Sequence, residues 1–391
     1  MSAERVLIYV QHLLGIGHSM RAAALARAFA AAGFETNLVS GGVPIAPLIG
    51  TEPGLIQLPP VQAKEGNFSL LADEHGNPID DAYRAARREH LLSILREKRP
   101  NVLIFETFPF GRRQMRFELL PLLEAALAME PRPLIAASVR DVLQTPKPGR
   151  AEEALALIAR AFDLVLAHGD PALVRLEASF PPAAALGDKL RYTGYIADPP
   201  TPRGTPGDAG WDEVIVSAGG GAVGGVLLAT ALAARPLTRL REATWRFLVG
   251  HGAADGEFER LASSREKGVI VERARPDFRR LLANCRISIS QAGYNTVMDI
   301  VSANTRAVLV PFSGAGETEQ AMRAACLAQH HLVALVPEHA ISPPALAAAI
   351  DNADAMATPD FAWIDRRGAE ASVRIVRETL GAVRLRPEAR A

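Results

Sequence analysis

The sequence predicts an α/β protein made of two doubly wound domains that face each other across a cleft. Short apolar runs typical of strands alternate with longer stretches in which apolar residues recur every three to four positions, as in helices. The short runs are apolar throughout, which favours strands covered by helices on both faces of a parallel sheet. A stretch rich in proline and glycine, 197–211, separates two series of such runs and predicts a linker between the domains.

Each predicted element can be located on the chain. The first series of strands is VLIYV, TNLVS, NVLIF, LIAAS and LVLAH, and the second is EVIVS, RFLVG, GVIVE, ISIS and AVLVP. The stretches MRAAALARAFAAAG and TEQAMRAACLAQHH have helical spacing. We expect an N-terminal domain over 1–196 and a C-terminal domain over 212–391, and we leave open that the last helix packs back on the first domain. The polar segment 62–90 predicts a surface excursion over the cleft.

The composition bounds the classes of function. The chain of 391 residues carries 43 Lys plus Arg and 43 Asp plus Glu, so it has no overall basic field that would attract nucleic acid or an anionic membrane. Its 2 cysteines, Cys285 and Cys326, offer neither a disulfide framework nor metal-ligand spacing. No apolar run reaches the roughly 18 residues of a transmembrane helix. We expect a cytoplasmic protein without a nucleic-acid partner, a metal or another cofactor, and leave peripheral contact with the inner membrane open.

The motif GIGHSMR, residues 15–21, lies at the first predicted strand-to-helix turn, where α/β folds bind ligands. Gly15 and Gly17 allow another group to approach the backbone closely. A neutral imidazole accepts a proton near neutral pH, so His18 is a candidate general base. The alternative is a solvated histidine in the first turn of a helix, and Arg21 has the same alternative.

Two turns in the second series are candidates for nucleotide binding. SAGGGAVGG is a glycine-rich loop between a strand and a helix, and its N–H groups suit a phosphate or a sugar; the alternative is a tight turn made only for packing. QAGYNT opens a further helix, whose N–H groups and Thr296 hydroxyl can hold a diphosphate. Asp299, about one turn later, can accept hydrogen bonds from ribose hydroxyls, or it can merely suit the helix dipole.

A basic and aromatic loop follows the strand NVLIFE. The stretch FPFGRRQMRFE places Arg112, Arg113 and Arg116 beside three phenylalanines. Arginine forks grip phosphate, which makes these residues candidate ligands of an anionic or lipid-linked acceptor. The alternative is a solvated loop whose arginine stems cover apolar surface. Glu106, at the end of the strand, is a candidate to assist His18.

Taken in order, GIGHSMRAAALARAFAAAGFE, SAGGG, SQAGYNTVMDI and VPFSGAGETEQ resemble the landmarks of two-domain GT-B glycosyltransferases, especially glycosyltransferase family 28. The segments YVQHLLGIGH, FPFGRRQMRFELLPLLEAA and RYTGY resemble a bacterial group of predicted glycosyltransferases. The resemblance implies two Rossmann-like domains and hexosyl transfer from a nucleotide sugar, a UDP-sugar above all, to a hydroxyl acceptor in bacterial glycoconjugate biosynthesis. It also implies inversion at the anomeric carbon without a bound metal, in keeping with the absence of an Asp-x-Asp motif.

The resemblance also assigns roles to residues. His18 matches the histidine near the reaction centre, and Glu319 with Gln320 matches the pair that binds the hydroxyls of the donor sugar. The resemblance further implies ligands for each part of the donor: Arg273 and Ala274 at the base, Asp299 at the ribose, and Gly293, Tyr294, Asn295 and Thr296 at the diphosphate. We also expect three glycines to lie against the donor: Gly17, Gly219 and Gly220.

Two other functions stay open at this point. GxGHxMR also resembles nucleotide-sugar hydrolases of the same fold, in which water replaces the acceptor and the histidine activates it. A non-catalytic protein that binds a nucleotide sugar is the third hypothesis. The long segment 62–150 resembles acceptor-binding apparatus and favours the transferase.

Overall fold

The computed structural model describes residues 3–13, 16–45, 48–50, 52, 54–64, 67–219, 224–253, 255–264, 266–314 and 317–385. The strands are β1 (Arg5–Val10), β2 (Glu35–Ser40), β3 (Leu55–Gln57), β4 (Gln62–Lys64), β5 (Asn67–Ala72), β6 (Val102–Glu106), β7 (Leu134–Arg140), β8 (Leu164–His168), β9 (Leu190–Tyr192), β10 (Val214–Ser217), β11 (Trp245–Val249), β12 (Val269–Arg273), β13 (Ile287–Ser290), β14 (Ala307–Leu309) and β15 (Ala334–Leu335).

The helices, in the same order along the chain, are α1 (Gly17–Ala31), α2 (Asp81–Lys98), α3 (Arg116–Leu127), α4 (Arg150–Ala161), α5 (Gly225–Ala234), α6 (Asp255–Ala262), α7 (Phe278–Asn284), α8 (Tyr294–Ala303), α9 (Glu319–Gln329), α10 (Pro343–Ala355) and α11 (Gly368–Leu385). Within the ranges described, none of these helices combines the length and the apolar character needed to cross a lipid bilayer.

The chain forms two compact units. Unit 1 comprises 1–171, 175–196 and 367–391, and unit 2 comprises 172–174 and 197–366. The last helix, α11, therefore belongs to unit 1, where Val373 and Val376 share a buried apolar cluster with Ala22 and Leu25 of α1. The segment rich in proline and glycine lies in unit 2, where the Asn284 side chain bonds its backbone.

Unit 1 is built on a parallel sheet with the strand order β3-β2-β1-β6-β7-β8-β9. Residues Val6 to Val10 of the inner strand β1 are each 0% exposed, because helices cover both faces of the sheet with separate apolar clusters. After β1 the chain continues to one side of the sheet, and after β6 it continues to the other. The gap between the ends of β1 and β6 is therefore the topological switch point, where folds of this class bind ligands.

Unit 2 repeats this plan with the parallel strand order β12-β11-β10-β13-β14-β15. Its switch point lies between β10 and β13. Helices α5 and α10 pack together over the sheet around Leu228 and Ile350. Each of the ten predicted strands and both predicted helices forms near its expected position, and the prediction of an α/β fold with two doubly wound units is confirmed.

Segment 62–90, predicted to be a surface excursion over the cleft, contains regular secondary structure, and its place over a cleft stays a prediction. The described part of this segment forms an antiparallel hairpin, β4 with β5, and the first half of α2. Asp80 caps α2 by accepting a hydrogen bond from the Tyr83 amide, a local signal that the charged composition concealed. Arg87 of this segment is 0% exposed and belongs to the interior of unit 1.

A buried ionic network fixes the elements around the end of β1. Arg87 donates to Glu118 of α3 at 2.6 Å and to the Gln11 side chain at 2.6 Å, and the Tyr9 hydroxyl donates to the same carboxylate. Gly41 makes room for it, because a Cβ there would lie 2.1 Å from an Arg87 nitrogen. Burial and the negative charge of Glu118 raise the pKa of Tyr9 well above its usual value. The network thus joins β1, β2, α2 and α3 behind the switch point.

We expect the substitution Arg87→Met to lower the free energy of unfolding by about 3 to 5 kcal/mol, since it leaves the Glu118 carboxylate buried without its cation. Removing both partners in Arg87→Met/Glu118→Leu should recover a large part of that loss. Urea unfolding followed by far-ultraviolet circular dichroism measures both variants. A double variant no more stable than Arg87→Met would contradict the explanation by an unpaired charge.

Candidate functional site

The candidate catalytic residue His18 lies at the switch point of unit 1. It is the second residue of α1, the next helix or strand after β1, and its side chain is 15% exposed. Glu106, the last residue of β6, is 1% exposed and lies beside it. Parallel pairing of β1 with β6 brings these two residues together although 88 positions separate them in the chain. Gly17 begins α1 next to His18, while Gly15 lies outside the described residues.

The hydrogen bonds of His18 fix its tautomer. Its Nδ1 atom lies 2.8 Å from Glu106 Oε1, and its Nε2 atom lies 2.6 Å from an Nη2 nitrogen of Arg140. A guanidinium only donates, so Nε2 carries the lone pair and Nδ1 carries the hydrogen that Glu106 accepts. Thr107 Oγ1 also donates to Glu106 Oε1, at 2.8 Å, and Arg21 donates to the same oxygen. This is a carboxylate–imidazole pair with Nε2 as the basic atom.

Three arginines surround the pair. Arg21 lies on α1, Arg112 in the loop after β6, and Arg140 at the end of β7. Burial and the positive charges of Arg112 and Arg140 lower the pKa of His18 well below its usual value, against the opposing effect of Glu106. Burial raises the pKa of the Glu106 carboxyl, but the interactions with His18 and Arg21 lower it by more. The pKa of Glu106 therefore lies well below its usual value. At neutral pH the imidazole is therefore neutral and the carboxylate is ionised.

Two further histidines support the edge of this sheet. His12 Nδ1 lies 2.9 Å from the Ser19 hydroxyl, which ties the end of β1 to α1. His168, at the end of β8, lies 2.8 Å from the Ser138 hydroxyl and 2.9 Å from that of Thr193. Burial lowers the pKa of His168 to about 3, so it is a neutral structural residue.

The three arginines predicted to bind an acceptor do not act as one group. Arg113 and Arg116 both donate to Glu153 of α4, outside the cluster around His18. Arg112 instead lies near Glu106, Arg140 and Arg21, each of which affects its pKa. Its backbone is left-handed, with φ 61°, and turns the chain between β6 and α3. The structure thus separates Arg112 from the other two, whose role at an acceptor stays a prediction.

In unit 2, the glycine loop follows β10 at the switch point. Gly219 has φ 75°, and its amide lies 3.2 Å from the Ser217 hydroxyl. Gly220 lies outside the described residues. Gly224 begins the turn into α5 with φ 134°, and a Cβ there would lie 2.3 Å from Ala218 Cβ. Both packing and backbone conformation therefore require glycine at 224.

The QAGYNT turn lies across the switch point from that loop. Gly293 precedes α8, and a Cβ placed on it would meet no atom within 4 Å. Gln320 holds the turn, because its Oε1 atom accepts from the Ala292 amide at 3.0 Å and from the Phe312 amide at 3.1 Å. Arg323 donates to the Ala292 carbonyl at 3.0 Å. These bonds fix the backbone before α8, and the space beside Gly293 is open, an arrangement in which the helix N-terminus suits an anion.

The side chains at the start of α8 differ in exposure. Tyr294 is 5% exposed and packs against Arg323, so only its backbone is at the helix start. Asn295 and Thr296 are half-buried. Glu319 is 7% exposed and lies one helical turn before Arg323, on the same face of α9.

Asp299 has a perturbed carboxyl. Burial raises its pKa to about 7, Arg279 opposes the rise, and Asp198 adds to it. Arg279 is itself paired with Asp198 at 3.1 Å. Hydrogen bonds from hydroxyl groups favour the ionised form of such a carboxyl. A carboxyl with a pKa near neutral pH is therefore expected to ionise when ribose hydroxyls bind to it.

The residues predicted at the nucleotide base are engaged within unit 2. The Ala274 amide donates to the Val249 carbonyl at 2.8 Å, and its carbonyl lies 3.0 Å from His251 Nε2. The Arg273 guanidinium lies over the Phe258 ring at 4.7 Å. Contact of Arg273 and Ala274 with a base stays a prediction.

A small cavity of about 160 Å³ opens at the switch point of unit 2. It is too small for a whole nucleotide sugar, since ligand pockets usually measure about 300 to 1,000 Å³. Its lining combines the start of α5, the residues that follow β13 and β14, and two residues after β15. The lining residues are Gly224, Gly225, Val226, Leu227, Gln291, Val310, Phe312, Glu338 and Ile341. In the described ranges, no three histidine, cysteine, aspartate or glutamate side chains are grouped as a metal site requires.

Sequence reasoning missed two residues of the unit 1 site. Arg140 contacts the basic nitrogen of His18, and Thr107 contacts its carboxylate partner. Arg140 is the last residue of the strand LIAASVR, and Thr107 directly follows the strand VLIFE. A rule that polar residues at the carboxyl ends of parallel strands meet at one edge would have found them.

Comparison with known proteins agrees with this architecture. Residues 215–372 match the Glycosyltransferase family 28 C-terminal domain. The calicheamicin glycosyltransferase CalG4 is similar over 99% of this chain and 97% of its own, with 12% identity and a TM-score of 0.59. MurG of Acinetobacter baumannii is similar over 98% of this chain and 99% of its own, with 12% identity and a TM-score of 0.56.

The same fold also occurs in an enzyme of another class. The UDP-GlcNAc 2-epimerase from Methanocaldococcus jannaschii is similar over 96% of this chain and 99% of its own, with 9% identity and a TM-score of 0.59. Identities this low establish the fold, and the chemistry has to be argued from the site. The domain match in unit 2 and the fold shared over nearly the whole chain identify a GT-B protein similar to the glycosyltransferases of family 28.

Proposed function

We propose that this protein transfers a hexosyl group from a nucleotide sugar, a UDP-sugar above all, to a hydroxyl acceptor with inversion at the anomeric carbon. The observation that carries the proposal is the carboxylate–imidazole pair at the switch point of unit 1, with Nδ1 of His18 2.8 Å from Glu106. Glycosyl transfer to a hydroxyl requires removal of one proton as the new bond forms, and a positioned neutral imidazole supplies that base. The balanced charge of the chain favours a small substrate over nucleic acid.

Glu106 is proposed as a positioning residue for His18. It accepts from Nδ1 and thereby keeps the lone pair on Nε2, the atom that faces Arg140, and its charge stabilises the imidazolium that forms after proton transfer. Arg21 and Thr107 hold the carboxylate in this orientation from two different elements. The acceptor oxygen would then attack the anomeric carbon from the face opposite the nucleotide, which inverts the configuration.

Unit 2 is proposed to bind the donor. The amides at Gly293, Tyr294 and Asn295 and the Thr296 hydroxyl suit the diphosphate, and Asp299 suits the ribose hydroxyls. Gln320 is proposed to act on the sugar through its amide nitrogen, because its oxygen already holds the turn before α8. Helix-end amides that stabilise the departing diphosphate supply the charge compensation that a metal provides elsewhere, which supports metal-independent transfer.

We expect His18→Ala to lower kcat by about a hundredfold or more, the usual effect of removing a general base, and to leave UDP affinity unchanged. Glu106→Gln should lower kcat by about tenfold or more, because the amide keeps the shape but loses the charge that stabilises the imidazolium. Release of UDP from a UDP-sugar, measured with and without hydroxyl acceptors, provides the assay. Arg160→Ala, which removes an exposed arginine of unit 1, is the matched control.

The same assay separates the three functions considered. Release that requires an acceptor supports the transferase, and equal release without any acceptor would show a hydrolase. Binding of UDP-sugar with no release under either condition would show a non-catalytic protein. Wild-type turnover in His18→Ala would remove the histidine from the mechanism.

The pKa of about 7 at Asp299 predicts that UDP affinity depends on pH. If ribose hydroxyls donate to the carboxylate, only the ionised form binds well, so affinity should rise about tenfold between pH 6 and pH 8. Asp299→Asn should weaken binding by about 1 to 3 kcal/mol at pH 8 and lose this part of the pH dependence. Calorimetric titration with UDP at several pH values tests both effects. Since the phosphates of UDP titrate equally in both proteins, an identical pH slope in the variant would contradict a role at the ribose.

A further inference from the structure

The helix that carries His18 begins without a side-chain cap. Its N-cap residue is Ile16, whose apolar side chain cannot accept a hydrogen bond from the amides of the first turn. Isoleucine is among the poorest N-cap residues, and helix ends without a cap fray. The first turn also contains no acidic residue that would suit the helix dipole. Because His18 is the second residue of α1, the position of the candidate base depends on contacts other than a cap.

A hydrogen bond between two buried side chains fixes this turn instead. Nδ1 of His12 lies 2.9 Å from the hydroxyl of Ser19. His12 lies just after β1 and is 5% exposed, and Ser19, the residue after His18, is 0% exposed. The bond therefore joins the end of β1 to the first turn of α1 and closes the segment 12–19, which contains the base.

His12 is itself held in one place. The Gln11 side chain donates to the His12 carbonyl at 2.7 Å and to the Val61 carbonyl at 2.8 Å, which fixes the backbone of His12. A Cβ on Gly42 would lie 2.3 Å from atoms of the His12 ring, so the ring fills the space that this glycine leaves after β2. Burial and the charge of Arg112 lower the pKa of His12, so the ring is neutral at neutral pH. Ser19 is thus bonded to a fixed and uncharged support.

The first turn of α1 is held from two directions. Ser19 is bonded to His12, whereas His18 and Arg21 are both bonded to the carboxylate of Glu106 at the end of β6. Successive residues of an α-helix point about 100° apart, so a rotation or unwinding of this turn cannot preserve both sets of bonds. The bond of Ser19 therefore helps to set the angle at which the imidazole meets its carboxylate.

We propose that His12, acting through Ser19, is a positioning residue that holds the His18 imidazole against Glu106. The proposal rests on the proposed glycosyl transfer, in which His18 is the base. It assigns no contact with substrate to either His12 or Ser19. Loss of their hydrogen bond lets the uncapped turn fray and moves the base away from its carboxylate. Donor binding is unaffected, because it is proposed for unit 2, which contains none of these residues.

Nitrogen-15 NMR of histidine-labelled protein tests the proposal without requiring turnover. The His18→Asn spectrum identifies the His18 signals among the 9 histidines. In the wild type, burial is the main reason why the pKa of His18 lies well below its usual value. In Ser19→Ala the frayed turn should admit water, and the pKa should rise by about one unit or more towards the usual value of about 6.5.

The charged and polar groups around His18 enter the interpretation of this titration. They are Arg21 on α1, Glu106 at the end of β6, Thr107 after it, Arg112 in the following loop and Arg140 at the end of β7. Arg112 and Arg140 lower the pKa of His18 and Glu106 raises it. Since fraying moves the imidazole away from charges of both signs and into water, the net change is towards the usual value.

Two substitutions of His12 separate the hydrogen bond from the packing of the ring. Asparagine carries an amide close to the position of Nδ1 and can keep a hydrogen bond to Ser19, whereas leucine fills the space without one. We expect His18 to titrate nearly as in the wild type in His12→Asn, and as in Ser19→Ala in His12→Leu. Ser372→Ala is the matched control, because it removes another 0% exposed and hydrogen-bonded serine from a helix of unit 1. It should leave the titration of His18 unchanged.

The UDP-release assay with acceptor gives the kinetic readout. Ser19→Ala and His12→Leu should lower kcat by about ten- to a hundredfold, because a small displacement of a catalytic group has effects of this size. UDP affinity should stay as in the wild type, and His12→Asn should keep most of the turnover. A merely structural role would lower the stability of the variants and leave both the kcat of the folded protein and the pKa of His18 unchanged.

An unchanged titration of His18 in folded Ser19→Ala would overturn the proposal, and so would equal effects of His12→Asn and His12→Leu. Wild-type kcat in a Ser19→Ala variant whose His18 pKa has risen would overturn it as well. If Ser19→Ala does not fold, the two His12 variants decide. A wild type that releases no UDP would contradict the proposed function, and the titration would then decide alone whether His12 positions His18, because it does not involve sugar transfer.

Discussion

Both units depend on one constraint of parallel sheets. Where the chain leaves two neighbouring strands in opposite directions, no crossover connection covers the gap between their ends. In unit 1 this gap lies between β1 and β6 and holds His18 and Glu106; in unit 2 it lies between β10 and β13 and is flanked by the glycine loop and the start of α8. The strand order alone therefore determines where the candidate site of each unit lies.

Charge burial determines what the unit 1 site can do. An isolated buried glutamate would be neutral, but Arg21 and the imidazole keep Glu106 ionised, and that charge in turn fixes the Nδ1 hydrogen of His18. Burial, with the charges of Arg112 and Arg140, lowers the pKa of the imidazole, and Arg140 donates to its Nε2 lone pair. The Arg87–Glu118 pair behind β1 is balanced and closed, so it stabilises the scaffold without taking part in the same chemistry.

Much of the fold and part of the site could be predicted from sequence. The strands were predictable because parallel strands buried on both faces are apolar along their length, and His18 was predictable because it follows the first of them. The site residues that depend on tertiary pairing were not. Nothing in FGRRQMRFE reveals that Glu153 accepts from Arg113 and Arg116 and not from Arg112. The position of Arg140 at the end of LIAASVR places it at the edge of the site, but its bond to His18 depends on the pairing of the strands.

The two units solve different electrostatic problems with one topology. Unit 2 presents backbone amides, held by Gln320 and Arg323, whose positive ends are fixed in direction and cannot be neutralised by a proton. Such a site suits an anionic ligand, such as the proposed diphosphate. Unit 1 presents side chains instead, with Nδ1 of His18 bonded to Glu106 and Nε2 bonded to Arg140. A group that must release and accept a proton during each turnover belongs in the second kind of site.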